Sequence, residues 1–90
     1  EAIEKWRKVL TIQKNAEPML ALATALNEIN PGDEEAIQLA INALAKNPNY
    51  VSSDYQKSQL WGSKLRKATT QLLTDQKLES AVEKAQANSD

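Results

Sequence analysis

The stretch PMLALATALNEINPGDEEAIQLAINALAKNP, residues 18–48, decides the fold. Its first part, Pro18 to Ile29, places Met19, Leu20, Leu22, Ala23, Leu26 and Ile29 on a helix that is apolar over more than half its circumference. Such a helix has to be covered on several sides, so it is expected at the centre. Pro18 suits a first turn, where no intrahelical N–H bond is lost. Asn30-Pro31-Gly32-Asp33 then ends the helix with turn chemistry. Asp33 caps a third segment, and Glu34 and Glu35 complement the positive end of its dipole. Ile37, Ala40, Ile41 and Leu44 form one face of that segment, and Lys46-Asn47-Pro48 stops it. Two amphipathic helices joined by four turn residues read as a helical hairpin.

Working outward, a first segment runs from Ala2 to about Lys14, with Ile3, Trp6, Val9, Leu10 and Gln13 at helical spacing. Asn15 to Pro18 breaks it, because the residue before proline is biased away from helical angles. After the hairpin, residues 47–53 form the longest loop. Ser53 with Gln56 reads as a capping box opening a fourth helix, with Trp61, Leu65, Ala68 and Leu72 in one stripe. Gly62 inside it lets another helix cross closely or marks a bend. Thr74-Asp75 breaks or bends this helix, since the last stripe (Leu78, Ala81, Val82, Ala85) is out of phase with it. The expected architecture is all-α: one domain over residues 1–85, a bundle of four or five short, mostly antiparallel helices, with 86–90 as a frayed tail.

Composition agrees. Ala and Leu supply most of the apolar surface, there is no Phe, and only two Gly and three Pro interrupt 90 residues. With no Cys, disulfides and thiol catalysis are excluded; with no His, the commonest general base and metal ligand are gone. A zinc site would need carboxylates alone, which is rare, and no metal or cofactor is expected. Net charge is −1, so no strong overall pull toward nucleic acid or anionic lipid arises. No apolar run reaches membrane-spanning length. The chain starts at Glu1, which is expected of part of a larger or processed protein.

Gly32-Asp33-Glu34-Glu35-Ala36-Ile37, followed by Ala43-Leu44 and Asn47-Pro48-Asn49-Tyr50, resembles the second helix of a tetratricopeptide-type repeat and its exit turn. Leu20, Ala23, Thr24 and Asn27 would then hold the first-helix positions, where the aromatics usual in that family are missing. The resemblance covers residues 18–50, and nothing after Tyr50 repeats it. It implies peptide or protein binding, not chemistry.

Each candidate for chemistry has a simpler role. Asp33, Glu34 and Glu35 diverge by about 100° per residue on a helix and act as cap and dipole partners. Ser52, Ser53 and Ser58 lack a nucleophile motif and read as loop and cap residues. Lys64, Arg66 and Lys67 beside Tyr55 and Trp61 would suit a nucleic-acid surface with a stacking aromatic, but Trp61 lies on the apolar stripe and is expected in the core. No enzyme is expected. The leading expectation is a protein-interaction or assembly module. Its partner would be a protein, bound through Trp6, Met19, Leu22, Leu26 and Ile29, where apolar surface exceeds what the neighbouring helices need. The alternative is a small regulatory nucleic-acid binder using the basic face of the fourth helix.

Overall fold

The structure, a computed structural model, describes Ile3 and residues 15–89. The expected first helix, and Trp6 within it, lie outside the described residues. Among the described residues there are five α-helices, two short 3₁₀ turns and no strand. The helices are α1 (Ala16–Ile29), α2 (Glu34–Lys46), α3 (Ser53–Ser58), α4 (Ser63–Leu73) and α5 (Glu79–Asn88). The 3₁₀ turns are Pro48–Val51, between α2 and α3, and Gln76–Leu78, leading into α5. The all-α class is as the sequence predicts.

α1 is the central helix. Eight of its residues, Ala16 and Pro18 to Thr24, are buried. It starts two residues before Pro18, so the proline falls in the first turn. The turn into α2 depends on Gly32, whose φ of 81° is left-handed and whose N–H donates to Asn27 Oδ1 at 3.0 Å. Asp33 Oδ2 then accepts the Ala36 N–H at 3.1 Å, the expected cap. Ala36, Ala40 and Ala43 on α2 and Ala21 and Ala23 on α1 are all at most 1% exposed. These small side chains bring the two backbones close, and the remaining core volume is filled by Leu20, Ile37, Leu44, Leu72 and Leu78.

The region after Pro48 departs from the expected single helix. Ser52, not Ser53, caps α3, its Oγ accepting the Tyr55 N–H at 3.4 Å. Gln56 does not complete a capping box. It is 1% exposed, and its Nε2 donates to the Tyr50 carbonyl at 2.7 Å. α3 stops after six residues in a Schellman motif. The Leu60 N–H bonds the Lys57 carbonyl, and the Trp61 N–H reaches back to the Gln56 carbonyl. Leu60 takes the left-handed position, φ 69°. Gly62 then begins α4 at φ −67°, and a Cβ there would meet nothing within 4 Å. It therefore marks the break and permits no close helix crossing.

The break or bend expected near Thr74 is a break: Thr74 caps α4, and Asp75 Oδ1 accepts the Lys77 N–H at 2.9 Å. α5 is helical through Asn88, beyond the expected start of the tail at residue 86.

Helix direction alternates along the chain. α1 and α2 fold back on each other across residues 30–33. α4 then runs with α1, and α5 with α2. Glu17 meets Trp61 and Thr24 meets Thr69, so α1 and α4 ascend together. Lys77 meets Glu34 at 3.8 Å, while α5 packs along Pro48–Val51 beyond the other end of α2, so α2 and α5 ascend together as well. Each main helix therefore runs opposite to the one before it in the chain, and α2 ends beside the start of α1, where Asn47 and Tyr50 share a hollow with Asn15 and Glu17.

Candidate functional site

Tyr50, Tyr55 and Trp61 form a structural node. Tyr50 is 5% exposed, with Tyr55 edge-on at 4.9 Å between ring centroids and Trp61 at 5.5 Å. Trp61 Nε1 donates to Glu17 Oε2 at 3.1 Å, which fixes the ring against the first turn of α1. The Tyr55 hydroxyl accepts from Asn47 Nδ2 at 3.3 Å. Burial, and secondly the negative charge of Glu17, push the Tyr50 hydroxyl up to about 12. Trp61 is therefore core, as expected, and unavailable for stacking on a base. Lys64 and Lys67 are exposed on α4 with no exposed aromatic among them.

The partner-binding residues expected on α1 do not form one surface. Met19 and Leu22 are 7% and 1% exposed, Leu26 is half-buried, and Ile29 at the end of the helix is 72% exposed. Trp6 is outside the described residues. The apolar excess of α1 is consumed because neighbours cover it on more sides than an amphipathic stripe would need.

An open apolar surface occurs elsewhere, between α2 and α5. A groove of about 370 Å³ has Ile41, Leu44 and Pro48 on one wall and Ala81 and Ala85 on the other. On each wall the residues recur at three- and four-residue steps, so each helix presents one stripe to the groove. Ala45, Ser80 and Asn88 complete the walls, and Lys77 and Lys84 bring the only formal charges among the lining residues. Both stripes are visible in the sequence, where they read simply as core. The smallness of Ala81 and Ala85 leaves the seam between α2 and α5 open.

A second, polar hollow is lined by Asn15, Glu17, Lys46, Asn47 and Tyr50. Glu17 there is already engaged by Trp61. Among the described residues no group of carboxylates is placed to hold a metal ion, and no helix is long and apolar enough to cross a membrane. No family model matches the chain, and neither a curated protein nor a solved structure does so.

Proposed function

We propose that this chain is a non-catalytic protein-interaction module that receives a partner helix in the α2–α5 groove. The observation that carries the reading is the groove itself. It has an apolar floor and two walls that each present one stripe, and its size is within the range of ligand-binding clefts. A third amphipathic helix laid along such a seam uses the same side-chain interdigitation as the bundle's own packing. The resemblance of residues 18–50 to a tetratricopeptide-type hairpin belongs to the same reading, since it too implies peptide binding. The nucleic-acid alternative is less well supported, because the aromatic it needs is engaged by Glu17.

The test is a titration of the isotope-labelled chain with a neutral amphipathic helical peptide, Leu and Ala on one face and Gln on the other. Amide shifts confined to residues 41–48 and 80–88 are expected. Ala45→Gln, at an exposed position on the groove wall, should weaken binding without altering the helical circular dichroism. Absence of shifts in those two segments would remove the groove as the binding site.

A further inference from the structure

We propose that the groove is selective for an acidic partner: an amphipathic helix whose apolar seam fills the α2–α5 cleft and whose carboxylates, two turns apart, pair with Lys77 and Lys84. This rests on reading the groove as a protein-binding site and adds the chemistry of its occupant. The chain as a whole is slightly acidic, net charge −1, yet the groove lining contains two ammonium groups and no carboxylate. The acids of α5, Glu79 and Glu83, are exposed and lie off the lining. The charge at the groove is therefore segregated against the overall balance.

Spacing gives the match its geometry. Lys77, in the 3₁₀ turn that leads into α5, and Lys84, on α5, both line the groove seven residues apart in sequence. Ser80 and Ala81 lie between them on the same stripe. A partner helix running alongside would meet both with acids at i and i+7, leaving its i+3 and i+4 positions for the apolar floor. Neither lysine is committed. Lys77 reaches Glu34 at 3.8 Å with the two side chains 57% and 75% exposed, a pairing that water and salt screen. Lys84 makes no ion pair among the described residues. The chain's own residues 1–14 do not have the right charge to fill the groove, since Lys5, Arg7, Lys8 and Lys14 outnumber Glu1 and Glu4. Charge at a groove rim chiefly sets specificity and encounter rate, while the apolar floor supplies the basal affinity.

The experiment uses the full chain and three peptides of about 18 residues, five helical turns, with the same Leu/Ala seam and flanks of Glu, Gln or Lys. Affinities come from calorimetry, the binding site from amide shifts and the oligomeric state from sedimentation. The Glu peptide should bind about tenfold more tightly than the Gln peptide, with the Lys peptide weakest, and the ranking should collapse in high salt. Lys77→Gln/Lys84→Gln should erase the ranking and leave the affinity of the Gln peptide unchanged. Lys84→Gln alone, which keeps the Lys77–Glu34 pair, should remove part of it. Equal affinity for all three peptides in the groove would overturn the acidic selectivity and leave the interaction reading standing. Binding of none would overturn both. A self-associated chain whose groove excludes the peptides would replace the acidic helix with a second copy as the occupant.

Discussion

Leu60 and Gly62 occupy each other's natural places. Leu60 holds φ 69° with its side chain 92% exposed, so it stores left-handed strain and contributes almost no burial in return. Gly62 holds φ −67°, which any residue adopts, and begins a helix without a side-chain cap. Leu60→Gly should therefore raise stability by about 1 kcal/mol, and Gly62→Ser should add a few tenths more. Urea midpoints check both. A midpoint lowered by Leu60→Gly would show that the Leu60 side chain contributes packing that outweighs its strain. The neighbouring Trp61 explains why the strain is tolerated. Turning the chain there drives the indole into the core and onto Glu17, and burial of one large aromatic outweighs a single left-handed residue.

At the scale of elements, the α1–α4 contact turns on one polar pair. Thr24 and Thr69 are both 0% exposed, and their hydroxyl oxygens are 2.9 Å apart. Each also lies within bonding distance of the carbonyl four residues earlier, Leu20 at 2.9 Å and Leu65 at 2.8 Å. Two hydroxyl protons serve three contacts. One donates across the helix interface, and the other goes to a backbone carbonyl of its own helix. Removing one hydroxyl breaks the bond across the interface while the other keeps the carbonyl of its own helix, at a cost of about 1 kcal/mol for Thr24→Val or Thr69→Val alone. The cross-helix bond can be lost only once, so the double variant should lose less than the sum of the singles. Strict additivity in the urea midpoints would mean that the hydroxyls do not act as a pair. The pair also sets register: it lies seven residues along α1 and eight along α4 from the Glu17–Trp61 contact, so the two helices stay in step.

Across the whole molecule, the aromatic node makes stability depend on alkaline pH. The Tyr50 hydroxyl is held at about 12 in the folded chain against an ordinary value of 10.0. The folded state therefore retains this proton more firmly than the unfolded one. The resulting stabilisation is complete below pH 10 and disappears as pH rises through about 12, on the order of 2 kcal/mol in all. Urea unfolding followed by circular dichroism below and above that window should show the loss. Tyr50→Phe, which has no proton to lose, should flatten that part of the profile. An unchanged alkaline slope in Tyr50→Phe would assign the effect to other groups. The same node joins three parts of the chain: the start of α1 through Glu17, the exit of α2 through Tyr50, and the α3–α4 corner through Trp61.

What the sequence by itself determined is local. Proline and glycine at 31 and 32, Asp33 as a cap, Pro48 after Asn47 and the phase change at Thr74 mark helix ends by backbone chemistry that acts within a few residues. The crowding of Leu and Ala on α1 marks the central helix for the same reason. The tertiary structure decided the rest. Gln59-Leu60-Trp61-Gly62 contains no residue that favours the left-handed position where the chain uses it, so the break there follows from the pull of Trp61 into the core. The face expected to meet a partner on α1 was consumed because several neighbours cover it at once. The parallel alignment of α2 with α5, and the lysine-edged groove between them, come from side chains about forty residues apart in sequence. Periodicity shows that a stripe is apolar; only packing settles which other stripe covers it and how completely.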